Sequence, residues 1–157
     1  MLEIVGIKKP LKLQYRRSLE SDYLRVMGVM VAWWDGQDLR KILPRLFFEH
    51  FNETSIIIEN EENKEEIIGF LIGFVSQTNP HQGYIHFMGV DPRYRRRAVA
   101  RNMYLRFEDM VKKRGCTEIH CLTDINNSKS RGFHRSQGYR EEPSEDEPHL
   151  VLFCKNI

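Results

Sequence analysis

Three things are scarce in this chain of 157 residues. Cysteine is the first. Cys116, Cys121 and Cys154 cannot all pair within one chain, and no Cys-x-x-Cys pair occurs. A disulfide framework is therefore not expected, and free thiols point to a reducing, cytoplasmic compartment. A zinc site is not expected either, because the adjacent His120 and Cys121 would point to opposite faces of a strand. Long apolar runs are the second. The longest, Ile67 to Val75, falls far short of the ~20 residues that span a bilayer. The stretch Met1 to Ile7 has no basic segment followed by a long apolar one, so no secretory leader is expected. A dominant charge is the third. With 24 Lys and Arg against 22 Asp and Glu the formal charge is +2, which disfavours a dedicated nucleic-acid binder. With 41% hydrophobic and 29% charged residues, a disordered chain is excluded and a single domain over residues 1–157 is expected.

The charge that is present is unevenly placed. Arg93, Arg95, Arg96, Arg97 and Arg101 crowd one short stretch, while Glu141 to Glu147 is an acidic loop. The residues around the arginines give them a structural setting. Leu13 to Arg16 reads as a strand. Ser21-Asp22 starts a helix through Val31, with Tyr23, Val26, Met27 and Met30 at helical spacing. Trp33-Trp34-Asp35-Gly36 breaks it, and Leu43-Pro44 to Phe51 reads as a short second helix. Ser55 to Glu59 and Ile67 to Gln77 form a hairpin around the polar Asn60 to Glu65. Tyr84 to Val90 is a strand ended by Asp91-Pro92. After the arginines comes a helix with the apolar stripe Val99, Met103, Phe107, Met110 and Val111, stopped at Arg114-Gly115. Glu118 to Thr123 is a strand, Ser128 to Gln137 a short helix, and His149 to Lys155 a last strand.

A crossover helix makes the strands Tyr84–Val90 and Glu118–Thr123 parallel, and the rest reads as antiparallel. The expected class is α+β: a single mixed, mostly antiparallel sheet flanked by helices, with one parallel strand pair. Ligands of such units sit at the carboxyl ends of the parallel strands, here Met88-Gly89-Val90. A basic turn entering a helix suits an anion. The first helical amides lack intrahelical partners, the helix dipole adds positive potential, and arginine offers forked donors to phosphate oxygens. Two other readings are a plain solvated basic face and a nucleic-acid patch. The second would need more interleaved aromatics than Tyr94 alone.

The segment Arg95-Arg96-Arg97-Ala98-Val99-Ala100 resembles the acetyl-CoA signature of the GNAT superfamily of N-acetyltransferases. That signature is Gln or Arg, two residues, Gly, any residue, then Gly or Ala. Arg95 and Ala100 fit it, whereas Ala98 stands in the glycine's place. Asn127, Ser130, Gly138 and Tyr139 fall at the spacing of a second family segment, whose tyrosine is replaced by His134. The strand Tyr84–Val90 also resembles the one preceding the signature. Together these cover roughly residues 66–140.

The resemblance implies transfer of acetyl from acetyl-CoA, as co-substrate, to a primary amine by direct attack in a ternary complex. It implies main-chain pairing of Met88, Gly89 and Val90 with the pantetheine arm. Amides from Arg96, Arg97, Ala98, Val99, Ala100 and Arg101, with the Arg95 side chain, would hold the pyrophosphate. Asn127 and Ser130 would lie near the pantetheine, although Asn127 is equally placed to cap a helix. His134 is a candidate acid for the leaving thiolate. His86, on the face expected to carry Tyr84 and Met88, is a candidate base. Trp33, Trp34 and Tyr84 are candidates for the acceptor pocket, one tryptophan being expected in the core. The partner implied is a small-molecule or peptide amine, without membrane or nucleic acid, and a homodimer stays open. The competing readings are a degenerate acyl-CoA-binding module, favoured by Ala98 and His134, and a nucleic-acid-binding domain using Arg93 to Arg101.

Overall fold

The computed structural model describes residues 10–157, so the reading of Met1 to Ile7 lies outside the described residues. Among these residues the strands are β1 (Leu13–Arg17), β2 (Ile56–Asn60), β3 (Asn63–Val75), β4 (Gln82–Val90), β5 (Glu118–Asp124), β6 (Arg140–Pro143) and β7 (Leu150–Asn156). They form one sheet in the order β1-β2-β3-β4-β5-β7-β6. Only β4 and β5 pair in parallel. The helices are α1 (Asp22–Trp33), α2 (Leu46–His50), α3 (Val99–Lys112) and α4 (Ser128–Ser136). This is the α+β class expected from the sequence.

Period-two alternation divides the core between the two faces of the sheet. Ile56, Ile58 and Leu71 join the α3 stripe of Val99, Met103, Phe107 and Val111. Ile57, Phe70 and Ile72 point the other way, to Val26, Met30 and Trp33 of α1 and Phe48 of α2. A buried ionic cluster seats the start of α1. Arg16 donates to both oxygens of Asp22 at 2.8 Å, and Arg16 and Arg25 both reach Glu59. Both carboxylates are buried, so removing either arginine would leave a charge without full compensation.

The β3–β4 ladder contains the irregularity that shapes the site. Ile72 pairs with Phe87 and Gly73 with Ile85, so His86 is the extra residue of a bulge in β4. The bulge corrects the expected face of Tyr84, His86 and Met88. His86 stacks on Phe47 of α2 and Phe87 on Phe70, both on the α1–α2 side, whereas Met88 packs with the α3 core. The β4–β5 ladder ends just before the bulge, at Ile85↔Cys121. β5 meanwhile stays with β7 as far as Asp124↔Leu150. The carboxyl ends of the two parallel strands therefore part.

Several boundaries differ from the sequence reading. The start of the stretch Glu141 to Glu147, read as an acidic loop, belongs instead to edge strand β6 (Arg140–Pro143) on β7. β3 begins at Asn63 rather than Ile67, because pairing with β2 carries the polar residues into the hairpin, and it ends at Val75 rather than Gln77. α1 runs on to Trp33, and short 3-10 turns occupy Arg40–Ile42, Asn52–Thr54 and Pro92–Tyr94.

Candidate active site

The Asp91 amide donates to the Ile68 carbonyl of β3. Backbone groups alternate sides along a strand, so those of Gly89 share that side and those of Met88 and Val90 face the gap beside β5. No β5 ladder pair extends past Ile85, so this length of β4 presents an open backbone edge.

The turn that follows is held by carboxylates. Asp91 accepts from the Arg93 amide at 2.9 Å, and the Arg93 guanidinium bonds both Asp91 and Glu66. Tyr94 donates its hydroxyl to Glu66. Burial pushes the Asp91 carboxyl up, but the bonds and charge of Arg93 leave it below the usual carboxylate range. Arg95 is also committed within the protein. Its Nε donates to the Val90 carbonyl at 3.2 Å and its Nη2 to the Trp33 carbonyl at 2.8 Å. Arg96, Arg97 and Arg101 are exposed and take part in no ion pair among the described residues. The five-arginine cluster is thus two structural arginines and three outside any ion pair, of which Arg97 lies over the Tyr94 ring.

Arg96 and Ala98 have φ of 63° and 58°, in the left-handed region. Ala98 is the N-cap of α3, and its carbonyl receives the Asn102 amide. The amides of Val99, Ala100 and Arg101 lie in the first turn, where no intrahelical acceptor exists. Successive amides around left-handed residues form a concave anion cradle. The open β4 edge, the cradle and three arginines outside any ion pair together fit a ligand with an amide-bearing arm and phosphates.

On the α4 side, Asn127 Oδ1 accepts from the Ser130 amide at 3.0 Å, so the capping role is filled. Ser130 Oγ lies 3.3 Å from Thr123 Oγ1. His134 is buried, with its ring stacked on Phe153. Its Nδ1 lies 2.7 Å from the Ser130 carbonyl and its Nε2 2.8 Å from the Tyr104 hydroxyl. A carbonyl only accepts, so the network assigns the proton to Nδ1, and Tyr104 donates to Nε2. Burial pulls the His134 pKa below its ordinary value, which keeps the ring neutral. Neither nitrogen is left to offer a proton to an outside group. The geometry thus departs from the expected acid role.

His86 is different. Its Nε2 lies 2.6 Å from the Ile42 carbonyl and therefore carries the proton, leaving the Nδ1 lone pair as the acceptor. Burial lowers its pKa below 6.5, against the Ile42 bond that raises it, so this ring is neutral too. Of the two tryptophans, Trp33 is the core residue, 5% exposed and stacked on Phe70. Trp34 is half-buried and lies over Gly89, where an added Cβ would come within 2.5 Å of its ring. Tyr84 is half-buried on β4, its phenol pushed up to about 12 by burial.

Sequence reasoning missed Tyr104, the partner of His134. Its polar tip within the apolar α3 stripe, four residues after Ala100 and three before Phe107, was the available signal. It also missed Glu66 and Asp91 as holders of the turn. A groove of about 580 Å³ between β1 and α3 is lined by none of the expected site residues. Among the described residues no cluster of His, Cys, Asp and Glu could hold a metal, and no helix is long and apolar enough to cross a membrane.

A mixed sheet splayed at its one parallel pair, with an anion cradle behind the splay, is suited to a ligand that carries phosphates. The model of the acetyltransferase (GNAT) family matches residues 16–139, and the chain belongs to that family of acetyltransferases. An acetyltransferase of Pectobacterium atrosepticum is 27% identical over 118 residues, 70% of this chain and 78% of that protein. The fold is shared with diaminobutyrate acetyltransferase from Paenibacillus lautus, solved with L-2,4-diaminobutyric acid and coenzyme A. Its TM-score is 0.72 at 21% identity, covering 92% of this chain and 95% of that one. It is also shared with the ribosomal-protein-S18-alanine N-acetyltransferase of Escherichia coli, with a TM-score of 0.71 at 16% identity over 93% and 94% of the two chains.

Proposed function

We propose that the protein transfers the acetyl group of acetyl-CoA to a primary amine, by direct attack with both substrates bound. The observation that carries this reading is the open β4 edge leading into the α3 cradle. The backbone groups of Met88 and the amide of Val90 face an amide-bearing arm, and Arg96, Arg97 and Arg101, in no ion pair among the described residues, stand beside amides suited to phosphates. When bound, acetyl-CoA supplies the activated acetyl group as a thioester. The Val90 amide faces the gap and stabilises negative charge that develops on the acetyl oxygen.

The amine is the second problem. An alkylamine of pKa ~10.4 costs about 4.6 kcal/mol to present neutral at pH 7, at 1.36 kcal/mol per unit. His86 Nδ1 accepts that proton, directly or through one water. Its neutral state and fixed tautomer support this role. Trp34 and Tyr84 border the acceptor, since Trp34 lies over Gly89 and Tyr84 precedes the His86 bulge on the same strand. His134 serves as a buried brace between α3 and α4.

Two measurements test the reading. Acetyl-CoA should raise the melting temperature, by about 2.7 kcal/mol of added stability at a hundred times its Kd. Free thiol should then appear on adding an amine from a panel that includes L-2,4-diaminobutyric acid and an alanine-initiated peptide. No thermal shift at millimolar acetyl-CoA overturns the proposal. A shift with no thiol release across a broad amine panel points to a binding module without turnover.

A further inference from the structure

The α1–α2 connection touches β4 at three places. At its start, the Trp33 carbonyl accepts from Arg95 Nη2, while Arg95 Nε holds the Val90 carbonyl on β4. One residue on, the Trp34 ring lies against Gly89, where no side chain larger than hydrogen fits without movement. Near its end, the Ile42 carbonyl accepts from His86 Nε2 at 2.6 Å. Between these points the segment's main-chain hydrogen bonds, among the described residues, are local turns: the Gly36 amide on Val31, the Gln37 amide on Trp34, and the Ile42 and Leu43 amides on Leu39 and Arg40. Asp35 at φ 53° and Gly36 at φ 87° make the reversal after Trp34. Arg40 bonds only the neighbouring Asp38, both exposed. Leu43 is buried in the α1–α2 core and Leu39 packs against it, so these two side chains and the attachments to β4 together set the segment's position.

Arg95 opens the stretch that matches the family signature, and its free head would add to the phosphate site. Here two of its donors are spent on main-chain carbonyls that belong to opposite sides of the site. One is on the cofactor strand and the other at the end of the helix that begins the acceptor-side connection. A carbonyl pair does not need a positive charge, but it does need two donors at fixed separation, which a guanidinium supplies.

We propose that Arg95 is a positioning residue: it straps the α1–α2 connection to β4, so that the same connection's Ile42 carbonyl keeps the proton of His86 on Nε2 and its Nδ1 free. This deepens the role given to His86 and rests on that reading. It separates Arg95 from its neighbours. Arg96, Arg97 and Arg101 supply charge for phosphates, whereas Arg95 supplies geometry.

The test uses the full chain and CoA itself as the ligand. Arg95→Met keeps the aliphatic stem and removes the donors, and Arg95→Lys restores one donor group. Three quantities are read: CoA affinity by calorimetry, tryptophan emission, and the His86 ring nitrogens by ¹⁵N NMR. The two tryptophans of the chain flank the strap, so emission reports on it directly. Arg95→Met should leave the CoA Kd within about twofold, shift emission to the red and convert His86 from one tautomer to an exchanging pair. Arg95→Lys should recover part of both spectral changes. Arg97→Met should weaken CoA about tenfold and change neither spectrum. Gly89→Ala, which displaces Trp34 without touching the arginine, should reproduce the red shift. A tenfold loss of CoA affinity in Arg95→Met with unchanged spectra would make Arg95 a phosphate ligand and overturn the strap, and unchanged spectra at unchanged affinity overturn it too. Failure of the wild type to bind CoA would sink the proposed acetyl transfer instead, and the spectra would still decide the strap.

Discussion

His86 and His134 occupy two regions that the same physics treats alike and the local fold treats differently. Both rings are partly or wholly buried, and burial lowers both pKa values. Both put one N–H on a main-chain carbonyl, that of Ile42 for His86 and that of Ser130 for His134. The second nitrogen separates them. At the α3–α4 contact it accepts from Tyr104, whose hydroxyl is wholly buried and needs that partner. At the β4 bulge it keeps its lone pair. A lowered pKa therefore does not mark a catalytic histidine by itself; the availability of the unprotonated nitrogen does.

The largest expected effect belongs to the closed histidine, and it falls on stability. His134→Ala opens a cavity against Phe153, leaves the Tyr104 hydroxyl and Ser130 carbonyl without their partner, and should cost about 2–4 kcal/mol in urea unfolding. Any turnover retained by folded protein should stay within an order of magnitude. If instead stability holds and turnover collapses, His134 is the acid and the contrast between the two regions is wrong.

The open histidine should show the reverse. His86→Gln keeps a donor for the Ile42 carbonyl and loses the basic nitrogen. It should cut kcat by about 10²-fold or more while changing stability by less than about 1 kcal/mol. The pH dependence follows from the direction of the shifts. A base must be neutral, so kcat/KM for acetyl transfer should fall as pH drops through the His86 value, which lies below 6.5. Stability moves the same way. The unfolded chain binds these protons more readily, so the contribution of both neutral rings is present above pH ~6.5 and lost as pH falls through their folded values. In His86→Gln the activity limb should vanish and the stability limb should shrink, because His134 remains. A wild-type profile with no acid limb at any pH below 6.5 at which the protein stays folded would remove His86 as the base.

The two regions also differ in how much of them the sequence revealed. The strand–turn–helix unit around Val90 to Val99 was readable because strand alternation, a Pro break and an amphipathic stripe succeed one another without conflict. His86 was read on the correct strand and beside Tyr84, but the shared face was wrongly carried on to Met88, because one bulged residue reverses the alternation and nothing in Tyr84 to Val90 announces it. β6 was hidden for another reason. Arg140-Glu141-Glu142-Pro143 lacks strand-forming residues, and charges with a proline are what an edge strand tolerates and an interior one does not. Arg95 was counted by its charge, whereas its donors go to two carbonyls, that of Val90 close by on β4 and that of Trp33, 62 residues away and invisible to any local pattern.

The smallest expected effect lies at Ala98. The family signature it resembles has glycine here, and the structure supplies the reason: α3 starts from a residue at φ 58°. A left-handed alanine costs roughly 1–2 kcal/mol, while glycine costs the chain ~0.5–1 kcal/mol more in lost freedom on folding. Ala98→Gly should therefore raise stability by no more than about 1.5 kcal/mol, a shift in melting temperature of a few degrees. Ala98 is exposed, so no packing is lost. The more telling quantity is CoA affinity. If the methyl crowds the cradle, removing it should tighten CoA binding, and if Arg96 and Arg97 hold the phosphates clear of the backbone, affinity should stay unchanged. A loss of affinity would mean that the rigidity of alanine preorganises the left-handed turn, so that the chain has exchanged the freedom of glycine for a cradle already shaped before its ligand arrives.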